Sequence, residues 1–317
     1  MVDRAAEGIV GAPFELHVER GKIAEFARAT LSNNRAYFDG DQPLSPPTFL
    51  TTMFFWEARV EGSNPWHRVR MDQRRGMHAE QEYLFRGPPP RAGTRLIGRS
   101  RIESIFEKAG RRGGAMTFAV MSTEFRDARG QLVAEARMTG VETGQPSAPG
   151  SQSGADEARA GARLETSAAH TKASQRQAEN VSEATRVRIG STPAARTAGP
   201  VTRTDVVRYQ GASGDMNPIH HDEPFARAAG FDAPLVVGMF QAGVLATWAV
   251  DWLGAENIRS FKVRWKEQVW PGDVLTFSGA SVRELEASGE RRVEVELVCT
   301  RQTGGIAVQG WATFVVP

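Results

Sequence analysis

Residues 238–252 read Gly-Met-Phe-Gln-Ala-Gly-Val-Leu-Ala-Thr-Trp-Ala-Val-Asp-Trp. Apolar side chains fall on nearly every face of the helix this stretch predicts, so the helix must be buried on most sides. It is shorter than the ~20 residues a bilayer span needs, and it carries Gln241 and Asp251 near its two ends. Downstream, Phe261-Lys-Val-Arg-Trp-Lys266 and Val293-Glu-Val-Glu-Leu297 alternate apolar and charged residues, as half-buried antiparallel strands do. A sheet wrapped around a central helix accommodates both signals.

Working outward, the same order occurs earlier in the chain. A polar helix pattern over 20–31 leads to Ser32-Asn33-Asn34, a Pro-rich turn over 43–47 and an apolar run, Phe49-Leu-Thr-Thr-Met-Phe-Phe-Trp56. Strand-like runs follow over 81–86, 116–125 and 132–141. In the second half, 202–211 leads to Ser213-Gly214-Asp215, a turn at Pro234 and the apolar run over 235–252. The turn signals Gly93 and Gly130 answer Gly272 and Gly304 at offsets of about 175–180 residues, and so constant an offset favours a duplicated domain. The expectation is one long apolar helix and several strands in each half.

Between the halves, 143–186 is rich in Ser, Ala, Gln and Glu, with no aromatic residue and only Leu164 and Val181 as large aliphatics. Such a segment cannot offset the entropy of its own ordering and reads as a flexible linker, with a short helix over 171–184 unopposed by any breaker. The predicted domains are therefore 1–142 and 187–317.

The 317 residues carry 39 basic and 37 acidic side chains, a net charge of +2 that argues against a nucleic-acid binder relying on a broad basic field. The one cysteine, Cys299, cannot form an internal disulfide and sits in a strand pattern, as a buried thiol would. There is no basic head before an apolar stretch at the N-terminus and no membrane-length apolar window, so a soluble cytoplasmic protein is expected.

Residues 209–222, Tyr-Gln-Gly-Ala-Ser-Gly-Asp-Met-Asn-Pro-Ile-His-His-Asp, bring a carboxylate and an imidazole close together on a turn-forming sequence. Asn217-Pro218 forces a bend between Asp215 and His220, which lets both side chains face one small volume and hold a water molecule. Alone, Ser-Gly-Asp is ordinarily just a turn before a helix; the Asn-Pro-Ile-His that follows, and Gly238 opening the apolar helix, give it a functional reading. A metal reading of Asp215, His220, His221 and Asp222 lacks a His-x-x-x-His or Cys pair, so no metal is expected.

Residues 209–222, with Phe225-Ala-Arg-Ala-Ala-Gly230 and Gly238-Met239 behind them, resemble the hydratase motif of the MaoC-like family of R-specific enoyl-CoA hydratases and 3-hydroxyacyl-thioester dehydratases. The resemblance spans all but the linker and is most specific over 199–279; in the first half His78-Ala-Glu-Gln-Glu-Tyr-Leu-Phe85 carries most of it. It implies an α+β double hot-dog fold, two antiparallel sheets each wrapped around a central helix. It also implies a hydro-lyase of fatty-acid type chemistry that adds water syn to a trans-2-enoyl thioester, giving the (R)-3-hydroxyacyl product, or the reverse.

For that chemistry Asp215 is the base or water-orienting carboxylate and His220 holds the same water and relays the proton. Asn217 orients one of them or bonds the thioester. Gly238, at the start of the apolar helix, offers its N–H as oxyanion donor and lets the substrate approach closely, with Ser213 and Gly214 assigned to substrate binding beside it. Aligning the halves sets Asn34 at Asp215, Asp39 at His220 and a residue near Thr51 at Gly238, so the first half lacks the acid–base pair and shapes the acyl tunnel. His78 and Glu80 lie on one face of an extended chain, as an ordinary surface strand or as contacts to ligand or the second half.

No cofactor is called for beyond coenzyme A as part of the substrate, with a carrier-protein thioester as the other form. Candidates for its phosphates are Arg68, Arg70, Arg74, Arg75, Arg259, Lys262, Arg264 and Lys266. The alternatives are a hot-dog acyl-thioesterase and a non-catalytic acyl-thioester-binding subunit. A homodimer and a chain complete alone are both compatible with the sequence.

Overall fold

The computed structural model describes residues 2–72, 75–109, 114–143 and 188–316. Nearly all of the expected linker, the helix expected over 171–184, and Arg74 lie outside the described residues.

Among the described residues each half contributes five strands. The first holds β1 (Phe14–His17), β2 (Gly76–Phe85), β3 (Arg95–Ala109), β4 (Ala115–Arg126) and β5 (Leu132–Thr143). The second holds β6 (Arg196–Ala198), β7 (Ile258–Trp265), β8 (Leu275–Ala287), β9 (Glu290–Arg301) and β10 (Ile306–Val315). All ten join one antiparallel sheet in the order β1-β3-β4-β5-β2-β7-β10-β9-β8-β6. Replacing each strand by its counterpart in the other half reverses that order onto itself, so the halves are related by a pseudo-twofold between β2 and β7. The two expected sheets are thus joined at a seam that registers Glu80 opposite Arg264 and Leu84 opposite Ser260.

Helix α1 (Arg20–Ala29) and the one-turn α2 (Phe54–Glu57) belong to the first half; α3 (Arg203–Ser213), α4 (Glu223–Ala228) and α5 (Gly238–Leu253) belong to the second. Thirteen of the sixteen residues of α5 are buried, as its all-round apolar pattern requires. Cys299 is buried in β9, and desolvation pushes its thiol up to about 12.

The first half departs from expectation. Its apolar run forms a 3-10 turn, Phe49–Met53, and then the single turn of α2. Adjacent β-branched Thr51 and Thr52 disfavour a regular helix. The Ser63 hydroxyl then donates to the carbonyls of Glu57 and Val60 at 2.7 and 2.8 Å, satisfying acceptors that a longer helix would have used internally. Among the described residues one long central helix, and not two, packs on the sheet, and a cavity opens between the short helix and the sheet of the first half.

Candidate active site

Helix α3 begins with a capping box, Thr202 with Asp205, and ends on Gly214 at φ 82°. A left-handed residue there reverses the chain cheaply only as glycine. The turn beyond it is self-supporting: the Asp215 N–H donates to Ser213 Oγ at 3.2 Å, Asn217 N–H to Asp215 Oδ1 at 3.2 Å, and Ile219 N–H to Asn217 Oδ1 at 3.1 Å. That last bond starts the 3-10 turn Pro218–His220, with Pro218 at its first position.

His220 Nδ1 lies 3.0 Å from the carbonyl oxygen of Leu235. A carbonyl can only accept, so Nδ1 carries the proton and Nε2 is the bare, basic nitrogen. Burial pushes the His220 pKa down, against the pull of the nearby Asp215 carboxylate and the Leu235 bond. The imidazole therefore rests neutral.

Gln210 is a strut that the sequence reading passed over. Its side-chain amide donates to the carbonyls of Asp215 (2.8 Å) and Asn217 (3.2 Å), while its Oε1 accepts from His221 Nδ1 at 3.0 Å. His221 thus supports the turn and does not line the cavity.

Asp215, Asn217, His220 and Gly238 all line one cavity of about 910 Å³. Helix α5 opens at Gly238 with no side-chain cap, leaving its first N–H groups unused by the helix. A Cβ on Gly238 would stand 2.8 Å from Trp265 Nε1, so it is the indole that requires glycine here. Ser213 and Gly214 are not on the cavity wall: Ser213 is fully buried, and Gly214 packs against Phe54 and Phe55 of the first half. Their assignment to substrate binding is corrected to support of the turn.

The cavity continues between the short helix and the sheet of the first half, where Met53, Met121 and Met138, with Leu50, Phe54 and Trp66, form an adaptable apolar wall. His78 of β2 also reaches it. Glu80 turns the other way and pairs with Lys262 (3.2 Å) and Arg264. Among the basic residues considered for a phosphate, Arg259 is engaged by Glu290, Lys262 and Arg264 by Glu80, and Arg75 by Asp72 and Glu142. Arg70 and Lys266 are the members of that group on the cavity wall.

The counterpart turn corrects the alignment of the halves by two residues. Asn34 Oδ1 accepts from Ala36 N–H at 3.1 Å and Ser32 Oγ from Asn34 N–H at 3.2 Å, reproducing the bonds of Asn217 and Asp215. Ser32, Asn34 and Tyr37 therefore stand where Asp215, Asn217 and His220 stand. Ser32 and Tyr37 bring neither a carboxylate nor an imidazole to those positions. Tyr37 is fully buried, and the Asn34 amide is held at 2.8 Å by Asp251 of α5.

No group of three or more His, Cys, Asp or Glu poised for a metal occurs among the described residues, and no helix there is long and apolar enough to cross a membrane.

Comparison with known proteins agrees with this architecture. Residues 182–302 match the family model of the MaoC like domain, and residues 5–136 that of the FAS1-like dehydratase domain region. The chain thus carries a MaoC like domain in its second half and a FAS1-like dehydratase domain region in its first. A solved structure described as a MaoC-like dehydratase aligns over 99% of both chains with a TM-score of 0.76 and 21% identity. A conserved hypothetical protein of Mycobacterium tuberculosis with a double hotdog fold aligns over 98% of this chain and 96% of that one, with a TM-score of 0.64 and 14% identity. These likenesses show the double hot-dog fold. Among curated relatives, 3-hydroxyacyl-thioester dehydratase Y of M. tuberculosis is 36% identical over 107 residues, 31% of this chain. The peroxisomal hydratase-dehydrogenase-epimerase of Neurospora crassa is 31% identical over 124 residues, 38% of this chain. The matches span 37% and 13% of the length of those two relatives.

Proposed function

We propose that this chain is a hydro-lyase that reversibly adds water to trans-2-enoyl thioesters, giving (R)-3-hydroxyacyl thioesters. The observation that carries the reading is the His220–Leu235 bond, which leaves a neutral imidazole with a bare Nε2 on the same cavity wall as the Asp215 carboxylate and the uncapped start of α5.

One water molecule donates its two hydrogens to Asp215 and His220 Nε2. As its oxygen bonds to Cβ of the alkene, one O–H bond breaks and the proton passes to His220, whose cationic form Asp215 stabilises. The π electrons move to the thioester oxygen, where the Gly238 N–H meets the developing charge. His220 then returns its proton to Cα on the same face, which restores the resting site. The relatives' names, a 3-hydroxyacyl-thioester dehydratase and a hydratase-dehydrogenase-epimerase, support this class of reaction.

The Met-lined compartment of the first half takes the acyl chain, with coenzyme A as the carrier and Arg70 and Lys266 near its polar portion. The test is loss of enoyl-thioester absorbance with a panel of trans-2-enoyl-CoAs, with the product resolved for C3 configuration. Formation of the (R)-3-hydroxyacyl thioester supports the reading. Release of free CoA without hydration would replace it with a thioesterase, and tight binding without turnover with a substrate-binding subunit.

A further inference from the structure

His78 lies in the half that lacks acid–base residues, yet it lines the same cavity as Asp215 and His220. Strand β2 breaks register with β5 between His78 and Glu80, a bulge of the kind that re-aims a side chain. On the far side of the bulge Glu80 is pinned across the seam by Arg264 Nε at 2.7 Å and Lys262 at 3.2 Å. The bulge and this anchor bring the His78 ring onto Trp265, the last residue of β7, with centroids 4.3 Å apart and planes at 43°.

Trp265 in turn abuts Gly238, where a Cβ would come within 2.8 Å of indole Nε1 and 3.0 Å of Cε2. The three residues form a stack running from β2 through β7 to the first residue of α5. Trp265 Nε1 is buried without a hydrogen-bond partner among the described residues, so the indole is held there by packing and not by a polar anchor. The His78 ring is itself fixed: its Nε2 lies 3.1 Å from the carbonyl oxygen of Glu80, so Nε2–H donates there. Burial pushes its pKa down to about 4, against the pull of Asp215. At neutral pH His78 is an uncharged flat ring.

We propose that His78 is a positioning residue of the active site, its ring clamping Trp265 against Gly238 and so fixing the backbone N–H that meets the thioester oxygen. The proposal rests on the hydratase reading only in taking a thioester carbonyl as the group at Gly238. It makes the active site composite: the acid–base pair comes from one half, and the alignment of the oxyanion donor from the other.

The experiment uses the full chain in four forms: wild type, His78→Ala, His78→Phe and Asp215→Asn. Two quantities are read: kcat and KM for trans-2-enoyl-CoAs, and the infrared carbonyl shift of bound hexanoyl-CoA labelled with carbon-13 at the thioester, a saturated probe that cannot be hydrated. Misalignment of a donor by a fraction of an ångström to 1 Å predicts that His78→Ala lowers kcat by about 10- to 10²-fold with KM within about 2-fold, and reduces the carbonyl shift. His78→Phe keeps a flat ring and is expected to restore most of both. Asp215→Asn should keep the full carbonyl shift although its turnover falls by about 10²- to 10⁴-fold.

Wild-type kcat and shift in His78→Ala would overturn the proposal, as would a His78→Phe no better than His78→Ala, which would place chemistry on the imidazole itself. Absence of any carbonyl shift in the wild type overturns it too. A normal shift that responds to His78 in a protein that hydrates nothing would instead sink the hydratase reading alone. Should His78→Ala fail to fold, His78→Gln, which removes the flat ring but keeps a polar side chain of similar reach, is expected to show the same loss.

Discussion

The Nδ1 proton of His220 is donated to the carbonyl of Leu235, 3.0 Å away, which ties the turn after α3 to the segment entering α5. One bond therefore sets the tautomer of the imidazole and its place relative to the N–H of Gly238, three residues beyond Leu235 and proposed above as the oxyanion donor. Activity and geometry are coupled through the backbone, and each can be perturbed separately.

On the proposed mechanism, Asp215→Asn and His220→Gln are each expected to lower turnover by about 10²- to 10⁴-fold, since each would remove one of the two groups proposed to hold the water. Thermal unfolding should change little, because asparagine keeps the acceptor for the Asn217 N–H and the glutamine amide can still donate to the Leu235 carbonyl. Steady-state kinetics and melting curves on the same preparations check both halves of the expectation.

Gln210 offers a subtler lesion. Gln210→Leu would leave the carbonyls of Asp215 and Asn217 without their donor and free His221. Loosening the turn should cost about 10- to 10²-fold in kcat and about 1–3 kcal/mol of stability. His221→Ala, which removes only the outer member of the chain, should be milder on both counts.

Glu57 predicts a pH dependence of stability in the first half. It is buried, with one carboxylate oxygen unpartnered, and desolvation raises its pKa from 4.5 to about 7 against the Ser100 hydroxyl and the Asn64 amide. The folded protein thus binds this proton more tightly than the unfolded chain. Its contribution is fully present below pH 4.5 and is lost as pH rises toward 7. Glu57→Gln should abolish that slope and melt above the wild type by about 2–4 °C at about pH 8, a gain of order 1 kcal/mol. Tm measured across this range decides it.

Chain-length selection should respond to Ala136, which lies in register between Tyr83 of β2 and Thr123 of β4 on the floor of the first-half compartment. Ala136→Leu is expected to lower kcat/KM for the longest enoyl thioesters accepted by about 10-fold or more, with short ones within about 3-fold. A uniform loss across the panel would mean that the acyl chain does not reach this floor.

Much of this was legible before the structure. Helix α5 follows from its all-round apolar pattern, β7 and β9 from strict alternation, and the meeting of Asp215, Asn217 and His220 from the Asn-Pro bend. What was not legible depends on contacts distant in sequence or on local hydrogen bonds that hydropathy does not register. The run over 49–56 is as apolar as α5, but Thr51, Thr52 and the Ser63 hydroxyl divert it from a long helix. Matching Ser32-Asn33-Asn34 to Ser213-Gly214-Asp215 sets the halves two residues out of step, because Asn34 answers Asn217 as the cap of a 3-10 turn. In β2 the bulge at Ala79 breaks the two-residue period just where His78 leaves the surface, and its partner Trp265 lies in the other half.

The reversible strand order carries a consequence beyond catalysis. Two identical subunits meeting at such a seam would be bound by their own symmetry, so any change in one would appear in both. With both halves on one chain, a mutation strikes one side only. The seam between β2 and β7 thus preserves the contact of a symmetric pair while releasing its members from likeness, and selection can trade an acid–base turn on one side for volume on the other.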